Sequence, residues 1–113
     1  MQNAGKPVDV ASEKELNDDL KAMETVFVLF YASWCPYSNR FLPVFTKWAE
    51  ENPQKCLRVM IDDLESVCDK YQIEVYPTVL YFEKGQVSKR LDGKPGVGLN
   101  IKNLTDFVKI CKV

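Results

Sequence analysis

Residues 30–40 read Phe30-Tyr31-Ala32-Ser33-Trp34-Cys35-Pro36-Tyr37-Ser38-Asn39-Arg40. The apolar run at residues 26–31 is typical of a buried strand in a sheet that is covered on both faces. Apolar residues recur at helical spacing after Cys35, which predicts an amphipathic helix. One cysteine therefore lies where a strand passes into the first turn of a helix. Three residues later, Ser38 stands where a second cysteine would complete a Cys-x-x-Cys motif.

Four further strands are predicted around this central one. Val8 and Val10 alternate with a polar residue, as in a short half-buried strand. Apolar runs predict strands at residues 57–61 and 79–82. The run at residues 87–91 is more polar, and the turn at residues 83–86 precedes it, so we expect it to return as an edge strand.

Three further helices are predicted, each with a candidate cap. Ser12 and Glu15 form a capping-box pattern before the first. Asp62-Asp63 precedes a helix at residues 64–71, and Asn100 precedes the last helix at residues 101–111. The order β-α-β-α-β-α-β-β-α predicts a single α/β domain over residues 1–113, in which helices cover both faces of a mixed sheet of four to five strands.

Composition excludes several classes of function. The 113 residues are 46% hydrophobic and 27% charged, and 15 basic against 16 acidic residues give a net charge of −1. No basic stripe is present, so a nucleic-acid partner is not expected. Histidine is absent, which excludes Cys-His and Ser-His-Asp catalysis and every zinc site that needs histidine. We expect neither a metal nor another cofactor.

The cysteine pattern indicates a reducing compartment. Cys35, Cys56, Cys68 and Cys111 are scattered and contain no Cys-x-x-Cys pair, so neither a disulfide framework nor a zinc site is indicated. No apolar run has the length of a secretion signal or of a membrane span. The sequence predicts a cytoplasmic monomer, with a processed secretory form as the alternative.

The position of Cys35 favours a reactive thiol. Unsatisfied amides and the macrodipole at a helix N-terminus stabilise a thiolate, the form that attacks disulfides. Pro36 suits the first helical turn because its missing N–H has no partner to lose there. Trp34 is a candidate residue at the edge of a peptide-binding site, and Tyr37 is expected to be exposed and to contact substrate. The alternative is that Cys35 is a small buried apolar residue.

The segment from Phe30 to Ser38 resembles the active-site segment of the thioredoxin superfamily, whose usual form is Trp-Cys-x-x-Cys. The sequence Phe-Tyr-Ala-x-Trp-Cys is most similar to that of the protein disulfide isomerase branch. The resemblance covers essentially the whole chain. Five other features agree with it: Pro43, the strand end Ile61-Asp62, Tyr76-Pro77-Thr78, the turn residue Gly85 and the loop residue Gly93.

The resemblance implies roles for a second segment. Pro77 would be a cis-proline packed against Cys35, and the backbone around Tyr76 would pair with an extended substrate segment. Together with Trp34, Pro36 and Tyr37, these residues would form the substrate-binding site. The alternative is that Pro77 is an ordinary proline at a strand start.

Two residues depart from the family pattern. Leu29 stands where family members carry a buried acid that helps move a proton for the second cysteine. Ser38 stands at the position of the resolving cysteine and forms no S–S bond. Cys35 would therefore capture a client in a mixed disulfide that only an external thiol releases. Ser38 is either an introduced Cys→Ser change that traps clients or a native feature of a monothiol branch.

Three functions follow as hypotheses. The first is a protein-disulfide reductase or isomerase with an impaired resolving step, whose partners are protein disulfides and glutathione or a reductase. The second is a non-catalytic module that binds peptides or proteins through Trp34, Tyr37 and Tyr76. The third is a native glutathione-dependent monothiol enzyme. Under all three, Cys56, Cys68 and Cys111 are expected to be core or half-buried thiols.

Overall fold

The strand that leads to Cys35 lies at the centre of the sheet. The structure, a computed structural model, describes residues 8–52, 55–62 and 64–111. The predicted order of elements is confirmed. Its elements are β1 (Val8–Val10), α1 (Glu13–Ala22), β2 (Thr25–Tyr31), α2 (Pro36–Glu50), β3 (Cys56–Met60), α3 (Glu65–Tyr71), β4 (Thr78–Glu83), β5 (Gln86–Asp92) and α4 (Ile101–Cys111).

The sheet is mixed and five-stranded, with the order β1-β3-β2-β4-β5. β2 pairs in parallel with β3 and antiparallel with β4, while β1 extends the parallel half and β5 the antiparallel half. The predicted α/β fold class is thereby confirmed, and the polar strand β5 lies at an edge as expected. Because the carboxyl ends of parallel strands meet at one edge of a sheet, the chain leaving β2 lies beside the chain leaving β3.

Alternate residues of β2 enter two separate cores, because successive side chains of a strand point to opposite faces. Val28 and Phe30 belong to the cluster that contains Leu16 of α1 and Val67 of α3. The opposite face carries Phe27 and Leu29, which join a cluster with buried residues of α2 and α4 that include Phe41, Phe45, Leu104 and Phe107. The sheet is thus covered on both faces.

Two of the predicted helix caps are confirmed. Ser12 Oγ accepts the Glu15 N–H at 3.1 Å, and the Glu15 carboxylate accepts the Ala11 N–H at 2.8 Å. Asn100 and Asn103 accept each other's backbone N–H groups at 2.8 and 3.0 Å. The bonds to the Glu15 and Asn103 N–H groups satisfy amides that the first turn of a helix leaves without partners.

The prediction that Asp62 caps α3 is wrong. In the part of the chain that the structure describes, the N-cap residue of α3 is Leu64, whose side chain makes no capping hydrogen bond. The Asp62 carboxylate instead accepts hydrogen bonds from Ser33, in the segment that follows β2. Asp63, the other residue of that prediction, lies outside the described residues.

Candidate active site

Cys35 lies at the N-terminus of α2, as predicted. It is the N-cap residue, with φ −94° and ψ 119°, and Pro36 is the first residue of the helix. Its N–H donates to Ala32 O at 3.2 Å, and its carbonyl accepts the Asn39 N–H at 3.0 Å. The side chain is 7% exposed, so a partner has to approach the surrounding backbone closely to reach the sulfur.

Ser38 is enclosed by the protein. It is 0% exposed, and its Oγ accepts the buried N–H of Ala32 at 3.2 Å. This hydroxyl therefore holds the first residue after β2 against the first turn of α2. The sequence indicates a missing thiol at Ser38 but carries no signal of this hydrogen bond. Leu29, at the position of the missing acid, is also fully buried, within the core between β2, α2 and α4.

The segment before β4 forms the wall opposite Cys35. The Tyr76-Pro77 peptide bond is cis, and Pro77 is buried. The Cys35 thiol donates to Tyr76 O at 3.8 Å, which brings these two parts of the predicted site together. Gly93 lies behind the segment, where a Cβ atom would approach Pro77 O to 2.4 Å. A residue without a side chain is therefore required at this close approach.

Aromatic side chains border the site on two sides. Trp34 is 66% exposed, and its ring meets the Tyr76 ring edge-on with centroids 5.8 Å apart. Pro36 is also exposed. Tyr37 is half-buried rather than exposed as predicted, because it packs against Gly98 and lies under the Arg40 guanidinium, 5.5 Å from the ring centroid. Trp34 is therefore the more accessible aromatic surface beside Cys35.

Cys68 lines a groove beside Tyr76, a placement that the sequence did not predict. Trp34, Asp62, Cys68 and Tyr76 border this groove, and the Cys68 sulfur lies 3.6 Å from the Tyr76 hydroxyl. Burial, followed by the hydrogen bond with Cys68, raises the pKa of Tyr76 to about 12. Tyr76 thus contacts one thiol through its carbonyl and another through its hydroxyl. The helical spacing predicted that Cys68 lies on the apolar side of α3, but no sequence pattern relates it to Cys35.

Ser33 and Asp62 join the ends of two parallel strands. The Ser33 N–H donates to Asp62 Oδ1 at 3.0 Å, and the Ser33 hydroxyl donates to Asp62 Oδ2. These bonds hold the pKa of the Asp62 carboxyl below its usual range. On the other side of Ser33, Asn39 Nδ2 donates to the Ser33 carbonyl at 3.1 Å. The segment between β2 and Cys35 is therefore fixed by side chains from two distant parts of the chain, the end of β3 and the first turn of α2.

Cys56 and Cys111 lie in the core, 3% and 8% exposed. Burial raises the pKa of Cys56 to about 12 and that of Cys111 to about 11. Both stay protonated at pH 8, whereas alkylating reagents attack thiolates. We expect iodoacetamide at pH 8 to label the folded protein at Cys35 and Cys68 and to spare these two, with all four labelled in urea. Peptide mass mapping measures this, and labelling of Cys56 as fast as Cys68 would contradict it.

Neither a metal centre nor a membrane segment was found in the described ranges. Residues 8–52, 55–62 and 64–111 contain no group of three or more cysteine or acidic side chains that could hold a metal ion. Within the same ranges, no helix is both long and apolar enough to cross a bilayer.

The family model described as Thioredoxin matches residues 7–109. A thioredoxin of Mycoplasma genitalium is 33% identical over 86 residues, covering 75% of this chain and 84% of that protein. Endoplasmic reticulum resident protein 44.2 of Caenorhabditis elegans is 36% identical over 98 residues, covering 80% of this chain and 23% of that protein. The chain spans about a quarter or less of several curated relatives that it matches.

Solved structures show the same fold. Thioredoxin from Schistosoma mansoni superposes with a TM-score of 0.82 at 24% identity, covering 96% of this chain and 97% of that one. A mutant thioredoxin from Halobacterium salinarum superposes with a TM-score of 0.81 at 22% identity, covering 96% and 93%.

Proposed function

Because the chain belongs to the thioredoxin family, we propose that it is a thiol–disulfide oxidoreductase in which Cys35 is the attacking thiol. One observation carries this proposal. The Cys35 sulfur lies at the N-terminus of α2 and 3.8 Å from the carbonyl of Tyr76, the residue that precedes the cis-proline Pro77. This places a nucleophile beside backbone that an extended client segment could pair with.

The first step is capture of a client disulfide. The Cys35 thiolate attacks one sulfur of R–S–S–R′, a new S–S bond joins Cys35 to R, and R′ leaves as a thiolate that takes a proton from water. The exposed rings of Trp34 and Pro36 would provide apolar contact to the captured segment. Protein disulfides are therefore the proposed substrates, and the protein would act as a monomer.

The second step needs a thiol from outside the chain. Ser38 cannot attack the mixed disulfide, because its hydroxyl does not ionise usefully and is bonded to the Ala32 N–H. An external thiolate, from glutathione or a reductase, attacks the client sulfur of the mixed disulfide, forms a new S–S bond to the client and releases Cys35 as its thiolate. This chemistry is the same whether Ser38 is inherited or was introduced in place of a cysteine.

A reducing compartment such as the cytoplasm is the proposed location, because an external thiol is then always present. The name of the C. elegans relative places that protein in the endoplasmic reticulum. Microscopy of the tagged natural protein distinguishes the two locations.

Exposure to oxidised glutathione tests the proposed attack. We expect one glutathione per chain at Cys35, because this thiol lies at a helix N-terminus beside the Tyr76 backbone, and we expect dithiothreitol to remove it. Intact mass followed by peptide mapping measures the adduct. The Cys35→Ala variant is expected to form none at that site, whereas Cys68→Ala is expected to keep it. Glutathione found on the other cysteines alone would refute the proposal.

A second candidate function is peptide binding without chemistry. The exposed ring of Trp34 and its edge contact with Tyr76 favour it, since they form an apolar surface that needs no thiol. Binding of a reduced client peptide by Cys35→Ala, with affinity equal to that of the wild-type chain, would support this function. Loss of client capture in the same variant would support the oxidoreductase.

A further inference from the structure

Every polar group of Ser33 is hydrogen-bonded to a side chain from another position. Asp62 accepts both its N–H and its hydroxyl, and Asn39 donates to its carbonyl. Ser33 is exposed, so water could satisfy all three groups. Three hydrogen bonds to the protein at an exposed residue restrict its backbone far more than water would, because each bond has a preferred direction.

The partners of Ser33 are attached to two fixed elements, one directly after β3 and one within α2. Asp62 follows β3, and the neighbouring Ile61 N–H donates to Tyr31 O at 2.9 Å, which extends the pairing of β2 with β3. Asn39 belongs to the first turn of α2. The position of Ser33 is therefore set by the sheet on one side and by the helix on the other.

We propose that Asp62 and Asn39 are positioning residues that hold Ser33 so that Cys35 is presented to Tyr76. Only Trp34 separates Ser33 from Cys35 in the chain. Rotation of the Ser33 backbone would therefore displace the Cys35 sulfur from its contact with Tyr76 O at 3.8 Å. The inference rests on the proposed function of Cys35 and adds the residues that orient it.

Asp62 could affect Cys35 in two distinct ways, by orienting Ser33 or by its negative charge. The carboxylate of Asp62 adds negative charge beside the groove, and negative charge opposes ionisation of a nearby thiol. If charge were the main effect, every neutral residue at position 62 would raise the reactivity of Cys35 equally. If orientation is the main effect, a neutral residue that still bonds to Ser33 should differ from one that does not.

Two neutral variants separate these effects. In Asp62→Asn the amide oxygen can accept the Ser33 N–H, whereas Asp62→Ala removes both bonds without a further change of charge. We expect Asp62→Ala to form the Cys35 mixed disulfide with oxidised glutathione about tenfold more slowly than Asp62→Asn, the size expected for the loss of one to two hydrogen bonds. Ser33→Ala is expected to be slower than the wild-type chain, and Ser33→Thr, which keeps the hydroxyl, is expected to restore the rate.

Cys68 is the internal reference for this experiment, because it lies in α3 and lines the groove that Asp62 borders. The alkylation rate of Cys68 should be the same in Asp62→Ala and Asp62→Asn. Thermal unfolding curves should show that both variants are fully folded at the temperature of the assay. Equal Cys35 rates in the two variants would overturn the proposal, as would a parallel change in the Cys68 rate. Absence of a glutathione adduct at Cys35 in the wild-type chain would instead refute the proposed function.

Discussion

Under the proposed function, in which the chain captures clients, Ser38→Cys is expected to convert it into a protein that also releases them. The new thiol would lie one helical turn from Cys35, at the position where family members carry the resolving cysteine. An intramolecular thiol is present at a high effective concentration, so we expect release of a captured client to accelerate by on the order of a hundredfold over release by external thiol. The mixed disulfide should cease to accumulate, and an internal disulfide should form instead.

Reduction of a fluorescent peptide disulfide, followed together with gels that preserve mixed disulfides, measures this conversion. Ser38→Ala is the matched control, because it also removes the hydroxyl that accepts the Ala32 N–H but provides no thiol. The loss of that acceptor is expected to destabilise the control by about 1–3 kcal/mol without restoring release. A mixed disulfide that still accumulates in Ser38→Cys would contradict the prediction. Turnover with glutathione that Ser38→Cys leaves unchanged would favour the native glutathione-dependent enzyme.

Gly93→Ala is expected to damage both the stability and the site. The added Cβ would lie 2.4 Å from Pro77 O and 3.4 Å from Pro77 N, and these are backbone atoms that cannot turn away. The segment with Tyr76 and Pro77 or the loop with Gly93 must therefore shift. We expect a loss of about 2–3 kcal/mol in the free energy of unfolding, as for an overpacked core.

Urea unfolding measures the loss, and the rates of mixed-disulfide formation with a client peptide and with oxidised glutathione measure the effect on the site. The peptide rate should fall more, because an extended client would pair with the displaced backbone whereas glutathione makes fewer contacts. Gly96→Ala is the matched control in the same loop. Its Cβ meets nothing within 4 Å, so only the positive φ of +76° is unfavourable, with an expected cost of about 1–2 kcal/mol. A Gly93→Ala variant as stable as the wild-type chain would contradict the prediction, because it would show that the loop can shift to accommodate the added Cβ atom without a loss of stability.

Local patterns predicted the parts of the molecule that depend on local physics. The apolar run before Tyr31 indicated a central strand because a strand buried on both faces needs apolar residues at every position. The helical spacing after Cys35 indicated an amphipathic helix with the cysteine at its first turn. Capping by Ser12 and Asn100 was also predictable, since each cap bonds to a residue three positions away.

Contacts between distant parts of the chain were not predictable in this way. Asp62 was interpreted as a cap for α3 because it precedes that helix, but it bonds to Ser33, 29 positions away, since β2 and β3 run in parallel. The contact between Cys68 and Tyr76 depends on how α3 packs beside the segment before β4. Tyr37 is half-buried because the loop with Gly98 returns to it. Each of these needs the tertiary arrangement of the chain.

The central position of β2 has a consequence for the motions of the molecule. Its backbone pairs with strands on both sides, and residues 26–30 are buried. Amide hydrogens in such a strand exchange with solvent only when most of the structure opens. Hydrogen exchange should therefore be slowest in β2 and much faster in the exposed edge strand β5. The segment that presents Cys35 is attached to the part of the protein that opens last, so β5 and α3 can fluctuate while the end of β2 that leads to the thiol keeps its place.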